Sequence, residues 1–404
     1  MHRILFYLLL LKNTIQSLKI INHPFESRAA YVYGIKNLNR VDTSIIKELQ
    51  YVFKRSPLLI FKDVDPPSPN EFIDFLKHFD EDCDLESLYN PSKYPNQLLQ
   101  PFDQFPDCRH VAPRGNAEIT NFYNIKNIKV KPMDTFINNY LWHTDLLGHE
   151  YKLPNVITGF YIVEQPLIGG DTDFISGETI YESLSEELQE ASKNMLLEIN
   201  RHKFILKNKK LDYAGASRLE PYENYSEGKS YLPLVFAPDS TNEKPKVLIL
   251  PSFFEKVVGW NVDESRAWIK NFMIDHVLPH RISIQWKKND LGIFNNRRFM
   301  HSSTPARNYL EFTESSKRLL LQTFLPTNKP LLGIKPIKNN NNSIYNVKWI
   351  LDKNKSNNTS NELLKYSITT NLYNNKQNET ELYYPIVIKP ENIDFKDIKL
   401  NPYR

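Results

Sequence analysis

Short apolar runs, closed off by turn residues, recur along most of this chain and limit its fold more than any other feature. Residues 17–21, 30–33, 58–61, 156–163, 171–175, 247–250, 281–286, 291–294 and 319–324 all read as strands. Helical patterns are fewer. One covers 44–54, with Ile45, Ile46, Leu49 and Val52 on one stripe and Thr43 as its N-cap. Others cover 70–79 and 262–278, the latter begun by Asp263, and Ser183 and Glu186 stand at capping-box spacing. Many short, mostly antiparallel strands with few helices between them predict a mainly β protein with flanking helices, of sandwich or jelly-roll type.

Composition narrows the function classes. At 41% hydrophobic and 24% charged, the 404 residues support a packed core and exclude wholesale disorder. A net charge of +4 gives no basic stripe, so no nucleic-acid partner is expected. The 12 glycines form neither a dinucleotide-binding nor a P-loop motif. Two cysteines, Cys83 and Cys108, exclude a disulfide framework and a cysteine-ligated zinc site.

No apolar run is long enough to span a membrane. Residues 4–11 are apolar but lead into Lys12-Asn13-Thr14, not a small-residue cleavage site, so 1–17 read as an N-terminal extension and the cytoplasm is the expected location. Residues 18–334 read as one domain, with the polar, proline-rich stretch at about 80–115 as a lid loop. Residues 335–404 form an Asn-rich C-terminal tail, expected to be partly disordered, in which 383–388 read as a docking strand. A homo-oligomer is compatible with all of this.

The chemistry starts at His143-Thr144-Asp145. In a strand, residues i and i+2 share a face, so an imidazole and a carboxylate could reach one point. His301, far along the chain, would complete a two-histidine-one-carboxylate triad of the kind that holds Fe(II) with open positions. If the cosubstrate is 2-oxoglutarate, Arg318, opening an apolar strand, could hold its far carboxylate, and Thr172 could add a hydroxyl. Each residue alone also reads as structural: a strand-end histidine, a surface histidine after a basic turn, a solvated strand-end charge. His276 and His280 read as structural, and Lys287, Lys288, Arg297 and Arg298 as solvated faces.

Taken together, Trp142-His143-Thr144-Asp145, Gly170-Asp171-Thr172, Phe294-x-Asn296-Arg297-x-x-x-His301 and Arg318 resemble the taurine dioxygenase-like family of Fe(II)/2-oxoglutarate oxygenases, in order, over residues 18–333. The resemblance implies a double-stranded β-helix (jelly roll) core, Fe(II) on His143, Asp145 and His301, 2-oxoglutarate on Thr172 and Arg318, and O2 as oxidant. It implies hydroxylation of a small molecule.

Gln322 stands where sulfonate-oxidising members carry a second arginine. A glutamine cannot neutralise an anion but can read an amide-like edge. This position, with 174–177 and 180–185, is similar to the xanthine dioxygenases of the family, so xanthine is an expected substrate, with Gln322, Phe324 and Asn116 as candidate contacts. Lys131, Asp134 and Glu118 are further candidates. A taurine-type substrate, or a β-sandwich that binds without turnover, are the alternatives.

Overall fold

The structure is a computed structural model. It describes residues 18–83, 85, 105, 107–108, 110–130, 142, 144–145, 155–167, 169–193, 195–200, 229–237, 246–249, 254–257, 260–303, 317–325, 332–333, 343–349 and 368–374.

Strands β1 (Lys19–His23) and β2 (Glu26–Tyr33) form an antiparallel pair; α1 (Thr43–Arg55) then crosses to β3 (Leu58–Phe61), which runs parallel to β2. Helix α1 forms where Ile46, Leu49 and Phe53 recur on one buried face. Its N-cap is Asp42, one residue before the expected Thr43. Helix α2 (Pro69–Lys77) begins with a reciprocal cap between Ser68 and Glu71, with Pro69 in its first turn. Next come β4 (Val111–Gly115) and the hairpin β5 (Ala117–Phe122) and β6 (Ile125–Val130), whose two-residue turn places Tyr123 and Asn124 at positive φ.

Strand β7 (Ile157–Glu164) leads to β8 (Thr172–Ser176), α3 (Gly177–Ser183) and α4 (Glu186–Lys193). Then follow β9 (Leu196–Asn200), β10 (Lys229–Pro233), β11 (Val235–Ala237), β12 (Val247–Leu248), β13 (Phe254–Val257) and α5 (Val262–Phe272). The chain continues through β14 (Ile282–Ile284), β15 (Leu291–Asn295), β16 (Phe299–Ser303), β17 (Leu319–Leu325) and β18 (Leu332–Gly333). In the tail, β19 (Ser343–Trp349) pairs with β20 (Ile368–Asn374).

Two sheets position the site. The larger has the order β1-β2-β3-β15-β7-β17-β4, and the smaller β14-β8-β16. Alternation along each strand separates two faces. On the inner face, Leu58, Ile60, Phe160, Ile162, Phe294 and Leu320 of the large sheet meet Phe174, Ile282, Ile284 and Phe299 of the small one, with Trp286 between. On the outer face, Leu59, Phe61, Tyr161, Ile293 and Leu321 pack beneath α1 and α2. Ile175 and Met300, on the outer side of the small sheet, join a third cluster with α3 and α5. Each fully buried side chain of this kind stabilises the fold by about 1.5–3 kcal/mol.

One glycine is needed for that inner layer: a Cβ on Gly292 would lie 2.9 Å from both Phe160 and Trp286. The two rings instead meet edge to face at 4.7 Å.

Several expectations change. Ser183 is not a cap; it ends α3, which Ser176 caps, while the Ser185 hydroxyl accepts the Leu188 N–H. The helix over 262–278 is capped by Asn261, not Asp263, and its α-helical part ends at Phe272. It widens into a π turn and then tightens into a 3-10 turn, because Pro279 offers no donor for a further α-helical bond. Arg297 and Arg298 are buried, at 4% and 6% exposure, rather than solvated. The last five residues of the stretch read as a lid form β4, and residues 86–104 of it lie outside the described residues. So do 1–17 and the strand expected at 383–388. Among the described residues, no helix is long and apolar enough to cross a membrane.

Candidate active site

His301 lies on β16 opposite Phe174 of β8. Its ring stacks on Phe174 at 6.0 Å and meets the edge of Phe294 at 4.9 Å, so two aromatic walls fix its plane. Its Nε2 lies 3.5 Å from Asp145 Oδ2, and both side chains are only 9% exposed. His143 lies outside the described residues, as do Lys131, Asp134 and the side chain of Glu118.

Asp145 belongs to no strand, so strand alternation does not aim its carboxylate. Side chains do. The Asp145 N–H donates to Asn296 Oδ1 at 2.6 Å, and Asn296 Nδ2 donates back to the Asp145 carbonyl at 2.8 Å. Asn296 Nδ2 also reaches Asn155 Oδ1 at 3.1 Å. Asn155 Nδ2 donates to Thr158 Oγ1 at 2.8 Å, and that hydroxyl donates to Asp145 Oδ2 at 2.9 Å. The ring of contacts closes on the carboxylate. Asn155, Thr158 and Asn296 went without a role in the sequence; only Asn296 had a signal, its place in the segment leading to His301.

This pair suits a first-row cation. An imidazole nitrogen and a carboxylate oxygen form an appropriate donor set for Fe(II). Donors at neighbouring positions of one ion, each about 2.1 Å from it, stand about 3 Å apart, so a separation of 3.5 Å needs only a small shift.

The turn that carries Asn296 is itself fixed by buried charge. Arg298 binds Glu178 through Nε at 3.0 Å and Nη2 at 2.6 Å, and Arg28 approaches the same carboxylate at 3.3 Å. Burial pulls the Arg297 guanidinium down to about 10, with Asp80 acting in the opposite direction.

Thr172 lies on the inner face of β8, opposite Ile284 on one side and Ser303 on the other. Trp286 Nε1 donates to Thr172 Oγ1 at 3.0 Å. An indole nitrogen only donates, so the threonine hydroxyl keeps its own proton for another acceptor. Trp286 was not singled out in the sequence.

Arg318 is half-buried at the mouth of β17, and its Nε is shielded from solvent. Asn116 holds its backbone from both sides: Arg318 N–H donates to Asn116 Oδ1 at 2.7 Å, and Asn116 N–H donates to the Arg318 carbonyl at 2.9 Å. The Asn116 side-chain oxygen, expected at substrate, thus contacts the Arg318 backbone. Gly115 permits the approach. It has φ +129°, and a Cβ there would fall 2.0 Å from the Arg318 carbonyl oxygen.

Gln322 and Phe324 follow on the inner face of β17, opposite Phe160 and Thr158 of β7. Arg114 Nε, on β4, donates to Gln322 Oε1 at 2.9 Å. Arg114 has no motif signal, since strand pairing alone brings it there.

Comparison with known proteins gives the same order of elements a family. The model of the taurine catabolism dioxygenase TauD, TfdA family matches residues 23–323. An alkylsulfatase of Acinetobacter baylyi is 26% identical over 40% of this chain and 50% of its own length, so the chain spans half of that protein. A protein of Schizosaccharomyces pombe, assigned as an alpha-ketoglutarate-dependent sulfonate dioxygenase, is 22% identical over 72% of this chain and 67% of its own. Among solved structures, a taurine dioxygenase from Burkholderia xenovorans superposes with a TM-score of 0.54 at 15% identity, covering 79% of this chain and 97% of that one. That likeness is one of fold.

Proposed function

Because the chain belongs to the taurine catabolism dioxygenase TauD, TfdA family of oxidoreductases, which use Fe(II), 2-oxoglutarate and O2, we propose that it hydroxylates a small organic molecule within a double-stranded β-helix. His143, Asp145 and His301 hold Fe(II); Thr172 and Arg318 hold 2-oxoglutarate. The observation that carries this reading is the 3.5 Å approach of His301 Nε2 to Asp145 Oδ2, from segments far apart in the chain.

Bound there, the metal and cosubstrate supply oxidative decarboxylation to succinate and carbon dioxide, coupled to oxygen insertion into a substrate C–H bond. The protein's part is placement. Thr158 orients the Asp145 carboxylate, Asn296 holds the Asp145 backbone, and Phe174 and Phe294 set the His301 ring. Thr172 keeps a hydroxyl proton for the cosubstrate carboxylate because Trp286 occupies its acceptor side. The apolar inner layer excludes water, which strengthens each charged contact.

The test is succinate formation from 2-oxoglutarate under air with Fe(II). Wild-type protein should form succinate, and Asp145→Ala or His301→Ala should lose both activity and tight Fe(II) binding. Retained turnover in either variant removes the metal assignment. For the substrate, xanthine rests on Gln322 and the similar segments, whereas the names of the matched relatives support a sulfonate or sulfate ester. Succinate release with xanthine, taurine and an alkylsulfonate separates them.

A further inference from the structure

Glu178, the second residue of α3, is buried and gathers cations from three separate stretches of chain. Its Oε2 accepts from Arg298 Nε at 3.0 Å and Nη2 at 2.6 Å, and lies 3.3 Å from Arg28 Nε on β2. Lys246, just before β12, stands 3.5 Å from Oε1.

The three cations differ in what else they meet. Arg28 also binds Glu182 and Thr179, and Lys246 is open to water. Arg298 is buried, and its other side-chain acceptor is the Lys54 carbonyl at the end of α1. Among the described residues, Glu178 is the only acid that Arg298 meets. Without that carboxylate a buried guanidinium would lose its counter-charge, and the turn that carries it would shift toward water.

That shift would reach the metal side. The turn between β15 and β16 is anchored at its first half by backbone alone: Asn295 and Asn296 N–H donate to the Pro57 and Val156 carbonyls. Its second half hangs on Arg298, whose N–H donates to the Asn295 carbonyl and whose carbonyl accepts the Gly177 N–H. Asn296 lies between the two anchors and holds the Asp145 N–H and carbonyl. Asp145 belongs to no strand, so a displaced Asn296 frees its backbone.

We propose that Glu178 is a positioning residue for the metal pair, acting through Arg298 and Asn296 on Asp145. This inference rests on the reading of Asp145 and His301 as metal ligands.

Titration of the full chain with Mn(II), an air-stable stand-in for Fe(II), tests it, with free Mn(II) read by electron paramagnetic resonance and stability by urea denaturation. Glu178→Gln should weaken Mn(II) binding by about tenfold, as loss of a contact behind a metal ligand does. Glu182→Gln, which removes an exposed partner of Arg28, should leave the affinity unchanged. Added to Asn296→Ala, Glu178→Gln should weaken binding no further, because both act on Asp145 by one route. A purely structural carboxylate would lower stability and leave Mn(II) affinity alone, or weaken it equally with and without Asn296; either result overturns the proposal. If Glu178→Gln does not fold, Arg298→Lys replaces it: it keeps the charge, loses the forked contact and carries the same expectations. Asp145→Ala checks the premise. Equal Mn(II) binding by that variant and wild type defeats the metal reading; lost binding there beside unchanged binding in Glu178→Gln defeats only the role of Glu178.

Discussion

Thr158 donates its hydroxyl to Asp145 Oδ2, the same carboxylate oxygen that lies 3.5 Å from His301 Nε2. The threonine sits on β7 in the middle of the large sheet, between Phe294 of β15 and Phe324 of β17. A rigid strand therefore orients a carboxylate that belongs to no strand.

Thr158→Val keeps the shape and removes that bond. We expect the fold to persist and Fe(II) affinity to fall by about 10–100-fold, with Thr158→Ser close to wild type. Metal titration followed by protein fluorescence reads this directly. An unchanged affinity in the valine variant would show that the hold of Asn296 on the Asp145 backbone is enough to place the carboxylate.

Trp286→Phe keeps the ring against Phe160 but removes the N–H that binds Thr172. The threonine hydroxyl can then rotate. KM for 2-oxoglutarate should rise several-fold with little change in kcat, and Thr172→Val should raise it further. Equal loss of kcat in both variants would point to a packing defect instead.

Gly115→Ala should destabilise the protein by about 3 kcal/mol or more, because the new Cβ meets the Arg318 carbonyl oxygen at a φ that alanine rarely adopts. Urea denaturation measures the loss. The same variant should bind 2-oxoglutarate more weakly, since β4 can no longer bracket Arg318.

Lys62 binds the buried carboxylate of Asp290, which also accepts the Lys287 N–H at 2.7 Å. Burial raises the Asp290 pKa above 3.8, and Lys62 works against that rise. A folded value above the unfolded one means that the native state binds more protons between the two, so stability falls as pH rises through that window. Lys62→Met removes the opposing charge and widens the window. The variant's deficit against wild type should be largest at neutral pH and should shrink as pH falls toward 4. Denaturation at a series of pH values checks the sign.

Local pattern determined much of this protein. The apolar run at 58–61 is β3, that at 156–163 is β7 within one residue, and that at 291–294 is β15 within one residue. Period and turn chemistry are properties of neighbouring residues, so the sequence carries them directly. Boundaries and caps moved where two candidates competed, as at Asp42 and Asn261. The sequence also groups His301, Asp145, Thr172 and Arg318 as one candidate set, and of these the structure brings His301 Nε2 to 3.5 Å from Asp145 Oδ2.

Only the tertiary structure decided what supports them. Asn296 meets Asp145, Trp286 meets Thr172, Asn116 meets Arg318 and Arg114 meets Gln322 across long separations in the chain. The register between strands fixes those encounters, and register depends on the packing of both sheet faces at once, which no local stretch of residues encodes. Arginines at 297 and 298 looked like a solvated pair for the same reason: their burial comes from the elements packed over them, not from their own neighbours.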